Sequence, residues 1–323
     1  MPTTHTIRPE RATLHGAFSR ELSPVLTITS GDTVFYETLD AAWNVEPRRS
    51  PVPAERPRKF EPRHPERDAG HALCGPIAIA GAQPGMTLAI HINEIRPARW
   101  GWTSAGGWQS RVNDRLGVTG IEERMHLWVL DPDTGIGRNQ HGHSIALRPF
   151  MGVMGMPPDE AGWHPTAPPR VCGGNIDCKE LVAGSTLYLP IAVPGALFSV
   201  GDGHAAQGDG EVSSTAIECP MERVTLTFEL LPDLHLSTPR AHTPAGWVAL
   251  GFAEDLHEAS MLALDAMLEL MGELHGLSRQ DALALASIAV NLHITQLVNG
   301  GMLGVHAILP HGAVGGASPE RPA

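Results

Sequence analysis

Positive charge is scarce in this chain: Lys+Arg 23 stand against Asp+Glu 35, a formal net charge of −12 before any of the 17 histidines protonates. Phosphate recognition is built on surplus lysine and arginine, so no nucleic-acid partner is expected. Cysteine is equally sparse. The four thiols, Cys74, Cys172, Cys178 and Cys219, are too few for a disulfide framework in 323 residues, and Cys172 and Cys178 lack the C-x-x-C spacing of a zinc or redox pair. They are expected to be reduced, in a cytoplasmic chain. Long hydrophobic runs are also missing. Residues Met1 to Ala17 are broken up by Arg, His and Glu, so no export is expected. The most apolar stretch, Ala282 to Val298, is interrupted by Asn291, His293 and Gln296 and falls short of the roughly 20 apolar residues that span a bilayer. It reads as a core helix, with no membrane partner.

With 42% hydrophobic and 18% charged residues, the chain has the means to bury a large core and lacks the signature of disorder. Glycine (35) and proline (28) are abundant, which suits many short strands joined by turns. Three segments open on a turn and run into a strand: Gly31-Asp32-Thr33-Val34, Gly85-Met86-Thr87-Leu88 and Gly184-Ser185-Thr186-Leu187. Alternation such as Leu88, Ile90, Ile92 against Ala89, His91, Asn93 puts one face on a core. Val224, Leu226, Phe228 and Leu230 form the clearest strand, ended by Pro232, and His126 to Leu130 runs into the turn Asp131-Pro132-Asp133. Pro47 to Asp68 and Trp100 to Asn113 read as long surface loops, and Trp100, Trp102 and Trp108 in the second read either as a pocket wall or as simple packing on the sandwich.

The pattern changes near Gly251. From Ala253 to His275, Leu256, Ala259, Ala263, Ala266, Met267, Leu270 and Leu274 recur at helical steps, and Gly276 terminates the run. Ser278 and Asp281 then resemble a capping box opening a second helix whose stripe runs through Leu283, Ala286, Ile288, Ala289 and Leu292. Met261, Met267 and Met271 track this apolar stripe, as core or subunit contact. Asn299-Gly300-Gly301 breaks the helix, and Gly304 to Leu309 returns as a short strand before a Pro/Gly-rich tail. The expected fold is α+β, predominantly β: a β-sandwich core over 1–250, with a helical hairpin, short strand and tail over 251–323 packed on the same unit.

Chemistry concentrates in two glycine-laced runs. One is Gly173-Gly174-Asn175-Ile176-Asp177; the other, Gly201 to Glu211, holds Asp202, His204, Asp209 and Glu211. Carboxylates and an imidazole separated by glycine are what a metal site or a general acid/base cluster requires, because the backbone can coil until several donors converge. The apolar stretch Leu187 to Val200 is long enough to bring both runs to one end of a sheet. The spacing fits neither an EF-hand nor a phosphate loop, and no G-x-S-x-G elbow exists. Attack by water, assisted by metal or carboxylate, is the chemistry left.

Several segments together resemble the acetamidase/formamidase family. They are Gly173 to Asp177; Ala183 to Pro190 with Val193-Pro194-Gly195-Ala196; and Gly201 to Glu211 followed by Thr215-Ala216-Ile217-Glu218. Pro24-Val25-Leu26, Gly75-Pro76-Ile77, Gly81 to Gly85, Pro149 to Gly155 and Gly304-Val305-His306-Ala307 follow in the family's order, so the likeness runs from about Leu14 to Leu309. It implies a β-sandwich amidohydrolase that cleaves a small linear amide, formamide- or acetamide-like, to a carboxylate and ammonia. It also implies a bound divalent metal, zinc first, with calcium or magnesium as alternatives. Asp177, Asp202 and His204 are then the candidate metal ligands and Glu211 the general base. Lys179 is placed to stabilise an oxyanion, with Asn175, Gln207 and His71 as candidate substrate contacts. Two departures, Met86 where the family has an acid and Cys74 where it has a hydroxyl, bear on substrate identity.

His141 and His143, at alternate positions beside Gly142, are a weaker candidate pair of ligands in a flexible loop. A non-catalytic metal-containing sandwich module is the competing class. Its sugar-binding form would present an aromatic platform, whereas only 5% of the residues are aromatic. A lactam or larger amide is the alternative substrate, and the helical hairpin is the expected surface for a homo-oligomer.

Overall fold

A computed structural model describes residues 1–315. The period-two segments form two large sheets around one apolar core. The first has nine strands in the spatial order Thr4–Ile7, Thr33–Tyr36, Met221–Leu231, Thr87–Pro97, Thr186–Pro190, Arg240–Thr243, Gly246–Ala253, Met302–Pro310 and Asn291–Asn299. The second runs Pro169–Arg170, Gly173–Asn175, Phe150–Gly155, Phe198–His204, Leu73–Ile79 and Leu14–His15, with Leu26–Ile28 joining Leu73–Ile79 in parallel. Between them Val224, Leu226 and Phe228 from one sheet meet Ile77, Phe198 and Val200 from the other. The rings of Phe198 and Phe228 lie edge to face, with centroids 5.1 Å apart. Each such fully buried side chain contributes roughly 1.5–3 kcal/mol relative to exposure. The fold is α+β and predominantly β, and all four cysteines are free and buried.

Alternation also serves a second, smaller core. In Gly246–Ala253 the side chains of Val248 and Leu250 enter the sandwich, while Ala249 between them turns to the helices. The helix Leu256–His275 lays Ala259, Ala263, Met267 and Met271 on that face. Asp255 caps its start by accepting from the Glu258 N–H (3.0 Å), and Gly276 closes its end at φ 66°. Met261 is exposed, so only part of the methionine stripe is core. Ser278 caps the second helix, Arg279–Ala289.

Two expectations are corrected. Ala282 to Val298 is not one helix: it ends at Ala289, and Asn291–Asn299 is a strand paired with Met302–Pro310. The turn between them places both Gly300 (φ 59°) and Gly301 (φ 87°) in the left-handed region, so the two glycines close a hairpin as well as stopping a helix. Leu292, counted in the helical stripe, is exposed on that strand. Trp100 to Asn113 is not an unstructured loop. Trp100–Ala105 pairs with Arg124–Asp131 in a four-stranded sheet, and Ser110 caps the short helix Arg111–Leu116. Partnership with a distant strand, which local composition does not report, decides that segment. Among the described residues, no helix is long and apolar enough to cross a membrane. The end of the Pro/Gly-rich tail, 316–323, lies outside the described residues.

Candidate active site

The two glycine-laced runs do converge, but through a third strand. Phe150–Gly155 lies between Gly173–Asn175 and Phe198–His204: Val153 opposes Asn175 on one side and Gly201 on the other. The Leu187 to Val200 stretch is not the bridge, because Thr186–Pro190 belongs to the nine-stranded sheet and Phe198–His204 to the seven-stranded one. Gly152, at the middle of the central strand, leaves the space into which both neighbours turn their acids. A Cβ built there would stand 2.5 Å from Asp177 Oδ1 and 2.6 Å from Asp202 Oδ2. The Gly152 carbonyl accepts from the Ile176 and Asp177 N–H groups at 3.0 and 3.2 Å. Asp177 (φ 50°), Asp202 (φ 59°) and Glu211 (φ 42°) all hold left-handed backbone, and such strain, of order 1–3 kcal/mol each, accumulates where side chains must be aimed.

The resulting centre has four carboxylates around one imidazole. Asp177, Asp202, His204, Glu211 and Glu218 are all buried, none more than 6% exposed. His204 Nε2 lies 3.3 Å from Asp202 Oδ1 and 3.4 Å from Glu218 Oε1, and its Nδ1 lies 3.6 Å from Asp177 Oδ1. Gln207 orients the ring: its Oε1 accepts from Nδ1 at 2.9 Å, while its Nε2 donates to the Asp177 carbonyl at 2.8 Å. That leaves Nε2 facing the acids. Phe150 packs edge to face on the imidazole, centroids 5.1 Å apart.

Glu218 was not singled out as a site residue, although it closes the Thr215-Ala216-Ile217-Glu218 segment. Its backbone exchanges hydrogen bonds with Trp102 (3.0 and 2.8 Å), so the tryptophan strand anchors a member of the centre. Asn299 was missed as well. Its Nδ2 donates to Asp177 Oδ2 and, at 3.1 Å, to the Asn175 carbonyl, bringing the Gly300-Gly301 hairpin into the site. No pattern local to either residue announces these roles.

Burial and mutual repulsion govern the charges. Glu218 is pushed up to about 7, by desolvation first and then by the Asp202 charge, with His204 opposing. Asp177 is raised by burial, with the Asp202 charge adding and His204 opposing. Glu211 is raised well above the usual carboxyl range, again by burial first and then by the charge of Asp177. Burial acts the same way on Asp202 but is outweighed by His204 and His71, which hold it below the usual range. Burial alone would lower His204; the charges of Glu218 and Asp202 outweigh that and raise it well above the usual imidazole range. A cluster so arranged is short of positive charge.

That shortage is the test for a metal. Asp177, His204 and Glu211 offer ligand atoms within 4.8 Å of one another, as do Asp202, His204 and Glu218. Asp177 Oδ1, Glu211 Oε2 and Glu218 Oε2 are buried with no hydrogen-bond partner among the described residues. Orphaned acceptors beside one imidazole are a donor set that fits a divalent cation.

The other candidates lie around this centre. Lys179 Nζ is paired with Asp209 Oδ2 at 3.0 Å, and the same oxygen meets His293 Nδ1 at 3.0 Å. Asp209, His293 and His306 form a separate group. His71 bonds Thr166 Oγ1 through its N–H (3.0 Å) and Nδ1 (2.8 Å), and its charge reaches Asp177 and Asp202. Asn175 contributes its carbonyl to Asn299, and its Oδ1 is an orphaned acceptor. His141 and His143 cluster with His126 at ring distances of 5.3–6.3 Å on a hairpin of the four-stranded sheet. They belong to none of the groups with ligand atoms within reach of one ion.

Fold and centre together define a β-sandwich protein with a buried carboxylate–imidazole site. Comparison with known proteins then places it: the model of the Acetamidase/Formamidase family matches residues 2–165 and 161–244, and the chain belongs to that family. It is 50% identical over 209 residues to an acetamidase of Mycolicibacterium smegmatis, a match covering 44% of this chain and 49% of the relative. It is also 50% identical over 193 residues to a formamidase of Methylophilus methylotrophus, covering 44% and 47%. The matches span 47–60% of the length of the curated relatives. The crystal structure of an acetamidase from Bacillus halodurans superposes with a TM-score of 0.79 at 26% identity, covering 94% of this chain and 97% of that one.

Proposed function

We propose that this protein is a metal-dependent amidohydrolase that converts a small linear amide and water to a carboxylate and ammonia. The observation that carries the reading is the buried centre, in which four acids surround His204 and three carboxylate oxygens have no hydrogen-bond partner among the described residues. Membership of the family and likeness to proteins named acetamidase and formamidase support the substrate class. Asp177, Asp202 and His204 would hold the ion, joined by Glu218. A divalent ion held there would supply Lewis-acid polarisation of the amide carbonyl and would lower the pKa of the attacking water.

The chain's own groups do the rest. Gln207 accepts from His204 Nδ1, which would leave Nε2 as the nitrogen free to ligate. Glu211 takes a proton from water and returns one to the departing nitrogen, which leaves poorly as an amide anion and readily as ammonia. Lys179 acts through Asp209, its ion pair pinning the loop that delivers Glu211. Zinc suits the single imidazole, while the surplus of carboxylates suits calcium or magnesium.

The test is ammonia release from formamide, acetamide and a lactam, before and after chelation, with elemental analysis of the purified protein. Glu211→Gln is expected to lower kcat by about 10²–10⁴-fold, as loss of a general acid/base does, with KM little changed. Near-normal turnover in that variant, or full activity in a metal-stripped protein, would refute the assignment.

A further inference from the structure

Beside the centre lies a cavity of about 630 Å³, within the range of about 300–1,000 Å³ typical of pockets for drug-sized ligands and far larger than acetamide's four heavy atoms need. His71 is on its wall. Leu73 pairs with Gly201, so the residues before it, Ala72 and His71, run alongside Asp202; a Cβ on Gly201 would meet the Ala72 carbonyl at 2.2 Å. His71 thus stands between the cavity and the carboxylates, none of which is itself on the cavity wall.

The cavity's other walls carry positive charge. Lys59 and Arg63 line it, and Arg48 and Arg56 add to the positive field at Lys59. The Arg63 guanidinium is committed, donating to the Asp68 carbonyl and stacking 4.7 Å over Trp43. Lys59 is not. It is half-buried, and its ammonium has no ion-pair or hydrogen-bond partner among the described residues. The carboxylate that attracts it, Asp40, already accepts from the Asn44 N–H, Asn44 Nδ2 and Trp102 Nε1. The backbone fixes this lysine in place: Asn44 and Lys59 form a bridge, flanked by hydrogen bonds from Val45 to Arg58 (3.0 Å) and Phe60 to Trp43 (2.8 Å). The segment Pro47 to Asp68 otherwise has little regular structure, and Glu66 is the acid lining the cavity, exposed at its rim.

We infer that the preferred substrate is an amide with a carboxylate at its far end, the monoamide of a dicarboxylic acid, whose anionic end pairs with Lys59. The inference rests on the amidohydrolase reading and deepens it. Lys59 and Arg63 on the wall attract the carboxylate and the buried acids beyond His71 repel it, so such a molecule is oriented one way, with its anionic end at Lys59 and its neutral amide toward the centre.

The experiment compares succinamate with 4-methylpentanamide, in which an uncharged isopropyl group replaces the carboxylate. The wild-type protein, Lys59→Met and Lys59→Arg are assayed for ammonia release, and succinamate binding is measured by calorimetry. One charge-assisted contact predicts a kcat/KM for succinamate at least about tenfold above that of its neutral isostere. That ratio is expected to collapse in Lys59→Met, to recover in Lys59→Arg, and to fall with added salt in the wild type. Equal kcat/KM for the two amides in the wild type, or a ratio unchanged in Lys59→Met, would overturn the inference and leave the amidase reading standing. Failure of every amide to release ammonia would overturn the amidase reading. In that event, calorimetric binding of succinamate that Lys59→Met abolishes still assigns the pocket to anionic amides, and no binding removes both.

Discussion

Replacing Gly152 by alanine tests the geometry of the centre with a single methyl group. The Gly152 backbone is outside the left-handed region, so alanine brings no dihedral strain there and acts through its Cβ alone. That carbon would stand 2.5 Å from Asp177 Oδ1, 2.6 Å from Asp202 Oδ2 and 2.9 Å from His204 Cε1, where ordinary contact begins near 3.4 Å. Each oxygen must therefore retreat by nearly an ångström, and the two come from opposite sides of Gly152, Asp177 from just beyond Gly173–Asn175 and Asp202 from within Phe198–His204. Overpacking of this kind costs about 1–3 kcal/mol of stability. A displacement of about 1 Å in a catalytic constellation costs about 10²-fold in rate. The assay is kcat and KM from ammonia release, with bound metal and thermal unfolding measured on the same samples. Gly208→Ala is the control, because its Cβ meets nothing within 4 Å. A folded Gly152→Ala protein with turnover within a factor of three of the wild type would show that the carboxylates do not act as one packed cluster.

Glu218→Gln removes one orphaned oxygen and should lower the metal content of the purified protein, read by elemental analysis; full occupancy would exclude Glu218 as a ligand. Asn299→Leu leaves Asp177 Oδ2 without its donor and should weaken metal affinity by about 10–100-fold, as loss of an outer partner does, measured by competition with a chelator. Phe228→Ala opens a cavity against Phe198 and should cost roughly 3–5 kcal/mol in urea unfolding. His15 is pushed down to about 4, chiefly by burial, between Ser199 Oγ and the Ala17 carbonyl. Its folded pKa lies below the unfolded value of 6.5, so its contribution is complete above pH 6.5 and is lost as pH falls from there to about 4. The loss amounts to roughly 3 kcal/mol. His15→Gln should flatten the stability profile in that window, and an unchanged slope would contradict the assignment.

Much of the strand layout was legible because burying one face of a strand demands alternation, and Gly-Asp-Thr and Gly-Ser-Thr turns announce where each strand opens. The helix Leu256–His275 was legible for the same reason at a different period, with Asp255 and Gly276 closing its ends. The segment after Ala289 was misread because its Leu, His, Ile and Gln residues suit helix and strand alike. Its pairing with Met302–Pro310 settles the matter, and that pairing is non-local. Of the centre, Asp177, Asp202, His204 and Glu211 stood out because glycine-rich spacing permits acids to converge. Glu218 and Asn299 did not, since each is held there by a partner distant in sequence, Trp102 in one case and Asp177 in the other.

The order of residues alone determined the alternation, the caps, the turns and the supply of acids and imidazole, because each depends on neighbours a few positions apart. Which acids face one another and which of their oxygens are left without donors among the described residues were decided only when Phe150–Gly155 entered between two other strands and Trp102 paired with Glu218. Burial then raised the cost of every charge it enclosed, and side chains that would be ordinary surface acids in an open chain became a centre whose donor set fits a divalent cation.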